Sequence, residues 1–207
     1  MTSTGVRIAI LTLDGFNELD SFIAAAILNR LHGKGWRAEI VAPTARVTSM
    51  NGVVIERQQP LGALAEADAV IIGSGIRTRD HAADQKLLDA IYLDPARQLI
   101  GAQCSGTLLL ARLGLVRDLP ACTDLTSKPW VVEAGVNVID APFVAHGNVA
   151  TAGGCLSAQY LAAWIIARLA GGADAEAALH YVAPVGEKEE YVSRAMAAIA
   201  PYLPATV

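Results

Sequence analysis

Apolar and polar positions change period repeatedly along this chain, from short apolar runs to stretches with helical spacing and back. Val6–Leu13 is an apolar run of the kind found in strands covered on both faces. Asn17–His32 follows with Leu19, Phe22, Ile23, Ala26, Ile27 and Leu31 at helical spacing, and Gly33 reads as its C-cap. Trp36–Ala42 is the next predicted strand, stopped by Pro43, and Val47–Ile55 encloses Asn51-Gly52, a hairpin signal. Ala69–Ile72 reads as a buried strand running into Gly73-Ser74-Gly75. Asp84–Leu93 reads as a helix closed by Asp94-Pro95, Gln98–Ala102 as a strand, and Thr107–Leu113 as a helix ended by Gly114. Val136–Ile139, Phe143–Ala145 and Val149–Thr151 have strand character, and helices are predicted over 155–170, 174–182 and 187–199.

Strands alternating with amphipathic helices predict an α/β fold, doubly wound, with a mostly parallel sheet and helices on both faces. Ligands of such sheets bind beyond the carboxyl ends of the strands. Chemistry is therefore expected in the loops after Leu13, Ile72 and Ala102. No repeat, linker or low-complexity tract divides the sequence, so residues 1–207 read as a single domain. Composition supports one large core and excludes disorder: 53% of the 207 residues are apolar and 17% charged. The net charge of −4, without a Lys/Arg cluster, argues against nucleic acid as a partner. The longest apolar stretch, Cys155–Gly171, carries Gln159 and Arg168 and falls short of the ~20 residues a membrane span needs. No positive start followed by a cleavage site marks export. Three widely spaced cysteines, Cys104, Cys122 and Cys155, read as reduced thiols in a cytoplasm.

Of these cysteines, Cys104 has the most informative setting. Leu99 to Thr107 is a strand, a tight turn and a helix start, with Gly101 and Gly106 flanking Cys104 like a loosened nucleophile elbow. A thiol at a helix N-terminus is expected to have a lowered pKa and to act as a nucleophile. Cys122 and Cys155 lack an elbow and read as small buried hydrophobes. His32, His81, His146 and His180 fall outside the candidate pocket loops, and neither His nor Cys occurs at zinc-ligand spacing. No metal or other cofactor is expected.

The run Gly101-Ala-Gln-Cys104-Ser-Gly-Thr-Leu-Leu-Leu-Ala-Arg-Leu-Gly114 resembles the cysteine elbow of the DJ-1/ThiJ/PfpI superfamily. Asp14-Gly-Phe-Asn-Glu-Leu-Asp20 resembles the segment ending in that family's catalytic acid. Ala69-Val-Ile-Ile-Gly-Ser-Gly75 resembles its oxyanion loop, and Thr151-Ala-Gly-Gly154 its Gly-Gly turn. The resemblance implies a flavodoxin-like sandwich that forms a homodimer and acts on a small molecule. It implies Cys104 and Asp20 as catalytic residues, with the Gly75 and Ser105 backbone N–H groups as oxyanion donors. Glu18 competes with Asp20, but helical spacing turns the two to different faces; Glu18, Ser74, Thr123 and Asp124 are further pocket candidates. Asp20 and Cys104 are expected to share a proton and titrate as a unit.

Two departures shape the expected function. Asp124 stands where many relatives carry a histidine, and Ser74 where relatives often have glycine. The acid at Asp20, the missing histidine and Tyr181-Val-Ala-Pro184 are similar to the isonitrile hydratase-like branch. The resemblance thus implies a hydratase (lyase) converting an isonitrile to an N-formamide. Glyoxalase- or deglycase-type conversion of 2-oxoaldehydes is the alternative within the same chemistry, and a non-catalytic cysteine redox or stress sensor the alternative outside it.

Overall fold

The computed structural model describes residues 5–204. In chain order the first half comprises β1 (Arg7–Leu11), α1 (Glu18–Leu28), β2 (Arg37–Ala42), β3 (Arg46–Thr48), β4 (Val54–Glu56), β5 (Gln59–Pro60), β6 (Ala69–Ile72), α2 (Thr78–Ala83) and α3 (Gln85–Ala90). The second half comprises β7 (Leu99–Gln103), α4 (Gly106–Arg112), β8 (Pro120–Ala121), α5 (Lys128–Glu133), β9 (Asn137–Val138), β10 (Phe143–His146), β11 (Val149–Ala152), α6 (Ala158–Leu169), α7 (Gly172–Val182) and α8 (Lys188–Ile199).

Seven strands form one sheet in the order β10-β11-β7-β6-β1-β2-β5. Every neighbouring pair is parallel except β10 with β11, a hairpin at one edge. The central strands are apolar because both of their faces are covered. Alternation along them divides the core in two. Ile8, Ile10, Ala69, Ile71 and Leu99 pack toward α1, α6, α7 and α8, with Trp164 at the centre of that layer. Ala9, Leu11, Val70, Ile72 and Ile100 face the layer that contains α4 and α5. Burying side chains such as Ile71 or Ile72, neither of which is exposed, stabilises by roughly 1.5–3 kcal/mol each.

The boundaries differ from the sequence reading where local polar contacts intervene. The first helix ends at Leu28 and continues as a 3₁₀ turn, Asn29–Lys34, with the left-handed residue at Gly35 in place of Gly33. Asn29 causes the change, because its side chain both donates to Ala38 O (2.9 Å) and accepts from Ala38 N (3.0 Å), tying the helix end to β2. Helix α2 carries no apolar period; it buries only Thr78 and Ala82 and had no signal in the pattern. The hairpin at Asn51-Gly52 forms as expected, pairing β3 with β4 and placing Gly52 at φ +87°.

Order reverses around β1, whose neighbours are β2 on one side and β6 on the other. The carboxyl ends of β1, β6, β7 and β11 consequently open onto the same rim, and the loops that follow them build the site.

Candidate functional site

Strand β7 ends at Gln103, and the chain turns sharply through Cys104, which holds φ +48°. A non-glycine residue in the left-handed region is strained and needs fixed surroundings. Cys104 N donates to Ala152 O (2.8 Å), and the Cys104 carbonyl accepts from Thr123 Oγ1 (2.8 Å). Gly106 is required directly beneath, since a Cβ there would lie 2.7 Å from both the Ile72 and the Gly73 carbonyl oxygens. The elbow expected from sequence is present.

Asp20 reaches this elbow from the first turn of α1. Asn17 caps that helix, with Oδ1 accepting from Leu19 N (3.1 Å). The Asp20 side chain is fully buried, and its Oδ2 accepts a hydrogen bond from Ser74 Oγ. Its other oxygen, Oδ1, is buried without a hydrogen-bond partner among the described residues. One carboxylate oxygen of Asp20 and the Sγ atoms of Cys104 and Cys155 all lie within 4.8 Å of one another.

Burial dominates the electrostatics. It pushes the Asp20 carboxyl above the usual carboxylate range, against the opposing Ser74 hydrogen bond. The Cys104 thiol is also driven up, first by burial and then by the Asp20 charge. The lowered thiol pKa expected from sequence is therefore corrected. The helix that follows, α4, is only seven residues long, and its dipole does not offset the loss of water. Asp20 and Cys104 form a coupled pair whose first proton leaves above the ordinary carboxylate value and whose second leaves above the ordinary thiol value.

The other sequence candidates divide. Glu18 turns away from the pocket, and its carboxylate binds Ser49 Oγ (2.5 Å) and Asn51 Nδ2 (2.9 Å) of the hairpin segment. Glu18 therefore does not line the pocket, contrary to the expectation from sequence. Ser74 and Asp124 line the pocket, and Asp124 Oδ1 also caps the turn before α5 by accepting from Ser127 N (2.9 Å). Thr123 holds the Cys104 carbonyl from behind and does not line the pocket. Gly75 N donates to Ser105 Oγ at 3.2 Å, so this amide is engaged at rest. The Ser105 N–H donates to no protein acceptor among the described residues.

Gly75 is irreplaceable on steric grounds: a Cβ there would lie 2.9 Å from both the Gly15 carbonyl carbon and Phe16 Cα. Both are backbone atoms held by the Phe16–Gly75 bridge, so neither yields cheaply. Gly75→Ala is expected to destabilise the protein by about 1–3 kcal/mol. Urea unfolding of the two proteins checks this; an unchanged midpoint contradicts it.

Sequence reasoning missed Asn17 and Cys155. Cys155 is half-buried on the 3₁₀ turn Cys155–Ser157 that precedes α6, and its Sγ accepts from Asn17 Nδ2 (3.3 Å). The available signal was its position directly after Gly153-Gly154, at the end of the strand paired with β7. The pocket itself is about 350 Å³, with Met50, Ile76 and Trp130 forming an apolar mouth over the polar floor. Cys122 lies outside it, fully buried, with its thiol pushed up to about 11 by burial.

A labelling pattern follows. A small reagent such as methyl methanethiosulfonate is expected to modify Cys104 or Cys155, and modification of one is expected to block the other. Cys122 is expected to stay free until the protein unfolds, a pattern that peptide mass spectrometry resolves. Rapid modification of Cys122 in the folded protein contradicts this packing.

A model described as the DJ-1/PfpI family matches residues 6–168. No curated protein gives a significant match. Among solved structures, a cysteine-to-alanine mutant of a DJ-1 superfamily protein from Salmonella typhimurium is 26% identical, covering 86% of this chain and 99% of its own, with a TM-score of 0.73. A ThiJ/PfpI family protein from Pseudomonas syringae is 22% identical over 93% of this chain and 90% of its own, with a TM-score of 0.74. Drosophila melanogaster DJ-1beta is 22% identical over 86% of this chain and 97% of its own, with a TM-score of 0.73. The last two likenesses carry the fold alone, the flavodoxin-like α/β architecture. No helix among the described residues is long and apolar enough to cross a membrane.

Proposed function

We propose that this chain, which belongs to the DJ-1/PfpI family, is a cysteine-dependent enzyme acting on a small electrophilic carbon, with isonitrile hydration as its reaction. The observation that carries the reading is the fully buried Asp20 carboxyl group, with one oxygen within 4.8 Å of the Cys104 thiol and its Oδ1 without a hydrogen-bond partner among the described residues. A carboxyl group whose pKa is raised by burial, set beside a nucleophile, is suited to move a proton to and from the reacting atom.

An isonitrile accepts nucleophile and proton at the same terminal carbon. Cys104 gives its proton to Asp20 as Sγ forms the S–C bond, and Asp20 delivers that proton to the same carbon, which gives a thioimidate. Water then adds to the carbon as the nitrogen gains a proton, and the resulting hydroxyl carbon carries sulfur, nitrogen and hydrogen. The C–S bond breaks, Cys104 recovers its proton through Asp20, and the N-formamide leaves. The sum is one isonitrile and one water to one formamide. The Ser105 N–H, and the Gly75 N–H once it releases Ser105 Oγ, are proposed as donors to the developing oxyanion. The floor fits a small polar head, and Met50, Ile76 and Trp130 fit an apolar substituent. We further propose a cytoplasmic homodimer and a single domain spanning residues 1–207.

The test is a turnover panel of small isonitriles and 2-oxoaldehydes with wild-type protein and Cys104→Ser. Formamide production that requires Cys104 supports the proposal. Consumption of 2-oxoaldehydes alone keeps Cys104 and Asp20 but replaces the substrate class, since the same pair can shuttle a proton between adjacent carbons of a hemithioacetal. The pH profile of kcat/KM should have an acid limb above the ordinary carboxylate value of 3.8 and an alkaline limb above the ordinary thiol value of 9.0. An acid limb at or below 3.8 contradicts the coupled pair.

A further inference from the structure

The isonitrile scheme leaves one thiol of the pocket idle. Cys155 comes from the turn after β11, and Cys104 from the turn after β7; the parallel pairing of these strands brings both turns to the same rim. Their sulfurs lie within 4.8 Å of each other and of the Asp20 carboxylate. Bonding them requires closure of less than ~3 Å to reach a disulfide length. Each sulfur also accepts from a side-chain amide: Cys155 from Asn17 Nδ2 at 3.3 Å and Cys104 from Gln103 Nε2 at 3.5 Å. The Asn17 donor favours negative charge on the Cys155 sulfur, against the burial that raises both thiols. Asp20, whose carboxyl group lies beside both sulfurs, is fully buried, and its Oδ1 has no hydrogen-bond partner among the described residues.

We infer that Cys155 is a resolving thiol for Cys104, and that the pair reduces hydroperoxides at the expense of an external thiol. In the first step Cys104 gives its proton to Asp20 and its sulfur attacks one peroxide oxygen. An S–O bond forms, the O–O bond breaks, and the departing alkoxide or hydroxide takes a proton from Asp20. Cys104 is then a sulfenic acid. Cys155 gives its proton to Asp20 and attacks the Cys104 sulfur, forming the S–S bond and breaking the S–O bond. The released hydroxide takes the proton back from Asp20 as water. Two thiols lose two electrons and two protons, and one hydroperoxide becomes an alcohol and a water, or two waters from hydrogen peroxide. Two exchanges with an external thiol restore the reduced pair. The disulfide removes the Cys104 nucleophile reversibly and keeps it from the irreversible sulfinic state.

The inference is independent of which carbon substrate the pocket takes. Fully reduced full-length protein is treated with one equivalent of hydrogen peroxide, quenched with iodoacetamide after denaturation, and digested without reductant. The expected product is a Cys104–Cys155 cross-linked peptide pair, with Cys122 alone of the three cysteines left to alkylate. Dithiothreitol should restore all three thiols. In Cys155→Ser and Cys155→Ala the cross-link is lost, and further peroxide should carry Cys104 to the sulfinic acid. With dithiothreitol present, wild-type protein should consume at least ten equivalents of peroxide before Cys104 is irreversibly oxidised. Wild-type protein that goes directly to Cys104 sulfinic acid while Cys155 remains alkylatable overturns the inference.

Discussion

Asp20→Asn is expected to lower isonitrile turnover by ~10²–10⁴-fold, the range for loss of general acid–base catalysis, while Glu18→Gln leaves it within about twofold. Asn preserves the shape and can still accept from Ser74 Oγ. It cannot exchange a proton, so substrate would meet a thiol without its acid partner. Glu18 is only two residues away but is held by Ser49 and Asn51 on the outer face. The same substitution should separate function from stability. Burial raises the folded-state pKa of Asp20 above its unfolded value, so the stability associated with the protonated form is complete below the unfolded value. It is lost as pH rises toward the folded-state pKa, because the buried group is then ionised or resists ionisation. Asn carries no such cost. Asp20→Asn should therefore gain about 1 kcal/mol at neutral pH, roughly 2–4 °C in Tm, and the gain should vanish near pH 3. A loss of both turnover and stability at neutral pH would instead mark Asp20 as a structural residue.

Cys104→Ala is expected to abolish turnover, by ~10³-fold or more, and wild-type protein is expected to have negligible peptidase or amidase activity. An amide requires protonation of its leaving nitrogen, commonly by an imidazole. His81 Nε2 is bonded to Asp14 O (2.8 Å), and His146 Nε2 to Pro120 O (3.1 Å). His32 and His180 are exposed, and none of the four lines the pocket. Asp124 occupies the pocket wall but spends an oxygen on Ser127 N. Asp124→His should consequently leave isonitrile turnover no higher. Cleavage of ordinary peptides by wild-type protein, lost in Cys104→Ala, would return a hydrolase reading to first place.

The strands and the elbow were legible because their signals are local. Apolar runs such as Ala69–Ile72 mark strands covered on both faces, and Gly101, Cys104 and Gly106 mark a strand, a turn and a helix in order. That Asp20 and Glu18 face different directions was legible from helical spacing, and α1 does turn them apart; which of them meets the pocket came from the family resemblance alone. What the sequence could not supply depends on tertiary burial. The helix N-terminus after Cys104 suggested a lowered thiol pKa, yet the protein places that sulfur under loops and beside Asp20, and the direction reverses. Cys155 looked like the first residue of a long buried helix. Its 3₁₀ turn, set by Gly154 at φ +89°, delivers it to a strand end next to β7. Helix α2 was invisible because its segment is polar throughout apart from Ala82 and Ala83.

Rapid-quench mass spectrometry of wild-type protein mixed with a small alkyl isonitrile tests the central claim most directly. The account predicts a transient adduct on the Cys104 peptide, equal in mass to the whole isonitrile, which decays as N-formamide is released. Formamide release with Cys104 unmodified throughout, or no adduct and no formamide at all, would contradict it.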